Sequence, residues 1–455
     1  MKIIIVGAGE VGFHIAQRLS FENKEVLVID RNPDALKRIA EHLDVQTYEG
    51  SGSSPKVLAD AGIHNTDILL AVTDSDETNL IACMFANMLA PHTVRLARIR
   101  NEDYTAFQST LTENTLHINM IINPDVEVVK SIMRLMSVPG AIEISEFAGG
   151  KIKLIGVRID SHSPLHGTRL MHLRDKAGLI DFIIGALVRE NRLIIPTGKD
   201  AIHAGDVVYF LCDEKNLQKV LRFFGKRDEP IKNVLIVGGG NVGFKLAEEL
   251  DRRKTFHTRL VERDPERCEL LAANLDRTVV LNGDGTDQEL LQEENIAAMD
   301  VVISLTGDEE TNILSCLLSK SLGAKRTITR INKFAYMPLV QAIGIDHLVS
   351  PRLSAVNSIL HNIRRGKVIS TVSIKGDEAE ALEAIALENS YVVGRPLKDL
   401  NFPKGALILC ILRDDSVLIP TGDSVIDPQD RIIILSTRST IHKVEYALTV
   451  KLEYF

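Results

Sequence analysis

Short apolar runs punctuate the first hundred positions: IIIV at 3–6, VLVI at 26–29, ILLAV at 68–72 and VRLARI at 94–99. They are rich in Val, Ile and Leu and too short for helices, so they predict buried strands. After the first run, Val11, Ile15, Ala16 and Leu19 recur at the spacing of a helix with one buried face, and Val242, Leu246, Ala247 and Leu250 repeat that spacing later. Strand and helix in alternation predict a parallel sheet covered on both faces, the α/β doubly wound class.

The second occurrence of the helix pattern belongs to a longer repeat. MKIIIVGAGEVGFHIAQRL at the start matches IKNVLIVGGGNVGFKLAEEL from residue 231, and the correspondence continues. VIDRNP matches LVERDP, EGSGS matches NGDGT, AVTDSDETNL matches SLTGDEETNI, and LARI matches ITRI. Further on, RLIIPTGKDAIHAGDVVYFL matches SVLIPTGDSVIDPQDRIIIL, so the duplicated unit is composite. In each copy a nucleotide-type domain precedes a smaller module. The small module alternates apolar and polar positions around turn residues, such as Gly149-Gly150 in EISEFAGGKIKLIGVRI, and predicts an antiparallel α+β unit. The expected division is 1–138, 139–225, 232–366 and 367–455, with the polar, turn-rich FFGKRDEPIKN as linker.

The 455 residues suggest about three domains on length alone, and the repeat raises that to four. A net charge of -8 gives no general attraction to phosphate backbones, so no nucleic-acid partner is expected. The cluster Arg364, Arg365 and Lys367 reads as a solvated turn after a helix. No stretch approaches the ~18 to 20 apolar residues of a membrane span, and the opening MKIIIVGAG reads as a first strand and not a signal peptide. Five cysteines without a CxxC spacing point to reduced thiols and a cytoplasmic location. His162 and His166 lack a partner pattern for metal, so no metal site is expected.

Each glycine-rich loop follows an expected strand, opens an expected helix, and is followed by an acidic residue at the end of the next strand. In Gly7-Ala8-Gly9-Glu10-Val11-Gly12 and Gly238-Gly239-Gly240-Asn241-Val242-Gly243 the first glycine permits the tight turn. The second lets backbone approach a pyrophosphate, and the third lets helix and strand pack closely. Helix N-terminal N–H groups then face the phosphates. Asp30 and Glu262 are placed to accept from ribose hydroxyls, which favours NAD(H) or an adenine nucleotide over NADP(H); Arg31 and Arg263 beside them tolerate extra phosphate.

Strand C-terminal ends supply the remaining candidates of these Rossmann-like halves: Ser51 and Asp284, Thr73 with Asp74 and Thr306, and Arg98 with Arg330. The arginines suit phosphate, or a salt bridge to a neighbouring carboxylate. Glu77 and Asn79 suit helix capping at least as well as ligand contact. Cys83 and Cys316 coincide in the repeat at apolar helical positions, as core residues do. No repeated histidine accompanies the cofactor loops, so no catalytic residue is assigned; an NAD-dependent oxidoreductase with a duplicated cofactor domain is the rival reading.

Taken with the tandem repeat, IIIVGAGEVG with VID, TDSDETNL, LARI and the small module ending in PTG and GD resemble TrkA-type proteins, the regulatory subunits of bacterial Trk potassium-uptake systems. The resemblance covers essentially the whole chain. It implies RCK domains, homo-oligomeric rings on the cytoplasmic face of a TrkH/TrkG-like potassium-translocating membrane protein, and gating by NAD(H), ATP and ADP bound in the Rossmann halves. Some single-copy relatives carry an arginine after the second fingerprint glycine, where this chain has Glu10 and Asn241. A carboxylate there would repel a terminal phosphate, so the first site is expected to prefer NAD(H) or to tolerate several nucleotides, and the two sites to differ.

Overall fold

The computed structural model describes residues 1–22, 24–107, 117–178, 180–190, 192–226, 230–333, 336–363, 368–375, 378–414 and 416–448. The cluster Arg364, Arg365 and Lys367 lies outside the described residues. The chain folds as two compact units, one made of Met1–Met133 with Ile231–Leu360, the other of Arg134–Pro230 with His361–Phe455. Like has therefore grouped with like. The two glycine-loop halves share one unit and the two small modules share the other, although each copy is continuous in sequence.

The first half of the larger unit runs β1 (Lys2–Val6), α1 (Glu10–Phe21), β2 (Glu25–Asp30), α2 (Pro33–His42), β3 (Gln46–Glu49), α3 (Pro55–Asp60), β4 (Ile68–Ala71), α4 (Asp76–Leu89), β5 (Val94–Arg98), α5 (Glu102–Ala106), β6 (Met120–Ile122) and α6 (Pro124–Ser137). Its strands form one parallel sheet in the order β3-β2-β1-β4-β5-β6. The order reverses between β1 and β4, which opens a crevice beyond their C-terminal ends. Val11, Ile15, Ala16 and Leu19 are all buried, as their spacing predicts. Helix α2 starts sharply because Asn32 accepts from Asp34 N and Ala35 N, with Pro33 in the first turn.

After the first small module, β7 (Ala141–Phe147), β8 (Ile152–Arg158), α7 (Leu173–Ala177), β9 (Phe182–Arg189), β10 (Arg192–Ile194), β11 (Val207–Asp213) and α8 (Leu217–Phe223), the pattern returns. The second half runs β12 (Asn233–Val237), α9 (Asn241–Arg252), β13 (His257–Glu262), α10 (Pro265–Asn274), β14 (Val279–Asn282), α11 (Gln288–Glu293), β15 (Val301–Ser304), α12 (Glu309–Ser321), β16 (Thr327–Arg330), α13 (Met337–Ala342), β17 (His347–Val349) and α14 (Pro351–Ile363). Its parallel sheet has the equivalent order, β14-β13-β12-β15-β16-β17.

The second small module holds β18 (Val368–Ile374), β19 (Ala379–Ile385), β20 (Ala406–Arg413), β21 (Ser416–Leu418), β22 (Arg431–Thr437) and α15 (Ile441–Ala447). Each module is a five-stranded antiparallel sheet, ordered β10-β9-β11-β8-β7 and β18-β19-β22-β20-β21. The turn between β7 and β8 uses Gly149 and Gly150 at φ 67 and 92, the left-handed region that glycine enters without strain. Phe147, Ile152 and Leu211 of one module and Ile374, Leu409 and Leu435 of the other share a core, so the modules bury apolar faces against each other. The acid of each GD-type turn is structural. Asp206 takes a bidentate pair of bonds from Arg189 at 2.9 and 2.7 Å, and Asp430 takes one from Arg413 at 3.0 and 2.7 Å.

Candidate functional site

At the crevice of the first half lies a cleft of about 380 Å³, within the range of small-molecule sites. The glycine loop forms its floor. Gly7 sits at φ +116, and a Cβ on Gly12 would come within 1.8 Å of the Gly7 carbonyl oxygen, so only glycine lets α1 start this close to β1. A Cβ on Gly9 would meet nothing within 4 Å, because that face is the open one. Gly9 caps α1 without any side-chain hydrogen bond, which leaves the helix N–H groups and the dipole to an anion in the cleft.

Asp30 closes the side of the cleft at the end of β2. Its carboxylate accepts from Ala8 N at 2.6 Å and Asn32 N at 2.8 Å, so backbone from both flanking loops fixes its orientation. Glu262 repeats this one methylene longer, accepting from Gly239 N at 2.7 Å and from Arg263 N and Asp264 N at 2.7 and 3.0 Å. Arg31, Asn32 and Ala35 complete that side.

Opposite stands a polar knot. Asn79 is fully buried; its Oδ1 accepts from Thr73 N at 2.9 Å and Thr73 Oγ1 at 2.7 Å, and its Nδ2 donates to Thr73 O at 3.1 Å and Arg98 O at 2.8 Å. Asn312 does the same for Thr306 and Arg330, and also accepts from Ser304 Oγ at 3.0 Å. Both asparagines tie the loop after the fourth strand to the end of the fifth. The capping of α4 falls to Ser75 and that of α12 to Asp308. Glu77 bonds Ser75 and Tyr104.

Arg98 is 4% exposed, and its Nη1 donates to Thr73 O at 3.1 Å and Asp74 Oδ1 at 2.9 Å. Its buried Nε has no partner, and neither has the Nε of Arg330. The salt bridge expected as an alternative to phosphate is present at Arg98, yet it leaves a donor over.

Not every expected residue reaches the cleft. Ala8, Gly12 and Ser51 are absent from its lining: Ala8 serves Asp30, Gly12 serves packing, and the Ser51 hydroxyl pairs with Ser53 at 2.8 Å. Asp284 turns onto Thr286, accepting from its N at 2.8 Å and Oγ1 at 2.7 Å, and those bonds hold its carboxyl below the usual range. His166 accepts from Ala204 N at 3.0 Å.

Glu10 is not a bare carboxylate. Burial works to raise its pKa, but the Arg38 bond at 2.8 Å, with the charges of Arg38, Arg352 and His14, holds it below its ordinary value. Arg38 also lies over the Phe13 ring at 4.9 Å. In the second half that brace comes from Arg267, which donates to Gly239 O at 2.9 Å and lies over Phe244 at 5.6 Å. Sequence reading missed Arg38, Arg100 and Arg352, all of which reach the first glycine loop or the cleft it floors. Arg352 comes from the other half of the repeat, which no local pattern signals. Arg100 was visible two residues after Arg98, where the second copy has Asn332.

The thiols divide by burial. Burial pushes Cys83, Cys212, Cys316 and Cys410 up to about 12, whereas Cys268 is half-buried on α10, its Sγ donating to Glu262 O at 3.3 Å. Titration of the native protein with a disulfide reagent at pH 8 is expected to show one fast thiol, lost in Cys268→Ser, with the others reacting only after denaturant is added.

Two family descriptions match the chain, each twice: TrkA-N domain over residues 3–124 and 234–351, and TrkA-C domain over 154–225 and 382–448. The "Trk system potassium uptake protein TrkA" of Halomonas elongata is 38% identical over 459 residues, with all of both chains covered. That of Azorhizobium caulinodans is 37% identical over 458 residues, again with full coverage. A "TrkA homolog 1" of Methanosarcina mazei is 38% identical across 98% of this chain and 99% of its own. These relatives are named as potassium uptake proteins and not as enzymes. Among solved structures, the GsuK RCK domain has the same fold, with a TM-score of 0.59 at 17% identity over 98% of this chain and 94% of its own. A structure described as the GsuK channel bound to NAD has a TM-score of 0.58 at 17% identity, covering 98% of this chain and 78% of that one.

Proposed function

We propose, since this chain belongs to the TrkA family of Trk system potassium uptake proteins, that it is a nucleotide-sensing regulatory subunit that gates a potassium-translocating membrane protein. ATP, ADP and NAD(H) are its ligands, bound in the Rossmann halves. A homo-oligomeric ring on the cytoplasmic face of a TrkH/TrkG-like partner is its working form. Among the described residues no helix is long and apolar enough to cross a membrane, so the translocating path belongs to the partner.

One observation carries the reading: the first cleft is built by both halves, with the glycine loop, Asp30 and Arg98 from one and Arg352 from the other. A ligand that bridges two rigid bodies binds one of their relative arrangements more tightly than another, and only such differential binding can shift a conformational equilibrium. A tenfold difference in affinity supplies about 1.4 kcal/mol per occupied site. Repetition around a ring multiplies that bias. The channel of the same fold that is described as bound to NAD supports the ligand class.

Potassium flux into liposomes holding the membrane partner tests the reading, with and without the purified chain under ATP, ADP and NADH. The chain is expected to alter flux, and at least two nucleotides to alter it differently. Flux that is the same under all nucleotides removes the gating role.

A further inference from the structure

Helices α6 and α14 are counterparts in the repeat, each opening on a proline two positions past the last strand of its sheet. The next residue is Asp125 in one and Arg352 in the other. Both line a second cavity, about 260 Å³, between the two Rossmann halves. Val11 and Val242 line it together, as do Pro124 and Pro351, so the halves meet there through equivalent elements. The starts of both helices and the fifth-strand arginines of both halves, Arg98 and Arg330, line this one cavity.

The consequence is a difference in charge. Arg352 lines the first cleft and its charge acts on Glu10 there, so that cleft holds Arg98, Arg100 and Arg352, with Asp74 bonded to Arg98 at 2.9 Å and 3.9 Å from Arg100. Asp125 does not line that cleft; its charge acts first on Arg330 and then on Arg100, while Arg330 also feels Arg100 and Arg352, and its half carries Asn332 where the first has Arg100. Buried Arg98 and half-buried Arg330 both line this cavity, and each keeps a buried Nε without a partner, a donor held ready for an incoming acceptor. Three guanidinium groups receive a terminal phosphate readily. Arg330 matched by Asp125 keeps less positive charge for a phosphate than three arginines that share Asp74, and a second anion placed beside Asp125 is repelled at close range in a poorly screened cavity.

We infer that the exchange of Asp125 for Arg352 sets the specificity of the two sites: Arg352 makes the first site select a nucleoside triphosphate, and Asp125 restricts the second to NAD(H) or a nucleoside diphosphate. This rests on the nucleotide-sensing reading above. It reverses the preference expected from Glu10, because Glu10 is paired with Arg38 and outnumbered by arginines that sequence order does not bring near it.

Titration calorimetry of the full chain with ATP, ADP and NADH tests the assignment, one site at a time. Gly9→Asp and Gly240→Asp serve as blocks, since a Cβ at either position meets no atom within 4 Å while a carboxylate there occupies the open phosphate face. With the second site blocked, the first is expected to prefer ATP over ADP by about tenfold, the scale of one charge-assisted contact. Arg352→Gln should erase that preference and leave NADH affinity within about threefold; Arg352→Lys should retain most of it. With the first site blocked, Asp125→Asn should strengthen ATP binding by about tenfold. Circular dichroism checks that each variant is folded. An ATP:ADP ratio unchanged at the first site in Arg352→Gln, or at the second in Asp125→Asn, overturns the assignment and leaves nucleotide sensing intact. Absence of any nucleotide binding to the unaltered chain overturns the nucleotide-sensing reading itself.

Discussion

Gly12→Ala is expected to destabilise the larger unit by about 3 kcal/mol, at the upper end of what overpacking costs, and to remove nucleotide binding at the first cleft. Helix propensity alone argues the other way, because alanine in a helix interior is about 0.5 to 1 kcal/mol better than glycine. Geometry decides. The new Cβ would stand 1.8 Å from the Gly7 carbonyl oxygen, which is backbone and has no rotamer to escape through. Gly7 itself is hemmed by Thr73 N at 3.0 Å, measured from where its own Cβ would be, so the loop cannot simply retreat. The loop must shift by an ångström or more, and misplacement by about 1 Å typically costs about a hundredfold where several groups converge. Gly9→Ala is the control, expected within about 0.5 kcal/mol of the parent in stability. Urea denaturation and calorimetry on the pair, and on Gly243→Ala with its equivalent 1.9 Å approach, separate packing from general intolerance of the loop.

Asn79→Ala should cost at least as much, about 3 kcal/mol or more. Removing the fully buried amide strands Thr73 N and Arg98 O and leaves Thr73 O only its bond from Arg98, and each unsatisfied buried group costs about 1 to 3 kcal/mol. Asn79→Asp is a sharper test. It keeps shape and the acceptor, but replaces the donor aimed at two carbonyl oxygens by a second acceptor. A carboxyl there is held protonated by burial and by those carbonyls, so its folded pKa lies above the unfolded value of about 3.9. The folded state then binds more protons, and the variant should regain stability relative to the parent as pH falls toward the unfolded pKa. Denaturation midpoints at pH 7.5 and pH 5 measure this. A deficit that is equal or larger at pH 5 contradicts the proposed role of the amide donor.

Both residues illustrate what sequence could and could not reveal. Gly12 was legible because its constraint is local, set by a strand and a helix within a dozen residues. The buried stripe of Val11, Ile15, Ala16 and Leu19 was legible for the same reason. Asn79 is visible as a repeated residue, but its position near a helix start suits capping or ligand contact, and its actual partners lie six and 19 residues away on other elements. Arg38 reaches Glu10 across 28 residues, which undoes the argument that Glu10 faces a phosphate unpaired. Ser51 and Asp284 matched in the repeat, yet each is taken by a hydroxyl-bearing neighbour two positions on. Arg352 was invisible in principle, since a repeat read along the chain pairs each glycine loop with its own module and says nothing of how the copies meet.

That meeting of copies through equivalent elements has a consequence for what the interface can become. In a dimer of identical chains related by a two-fold axis, every residue at the interface occurs twice, so a carboxylate facing one bound ligand must face the other as well. Covalent fusion of the copies lifts that requirement. Each side of the shared cavity is encoded separately, and Asp125 can stand where its counterpart is Arg352. The duplicated chain holds a heterodimer's freedom inside a single polypeptide, with its two faces always present in equal number.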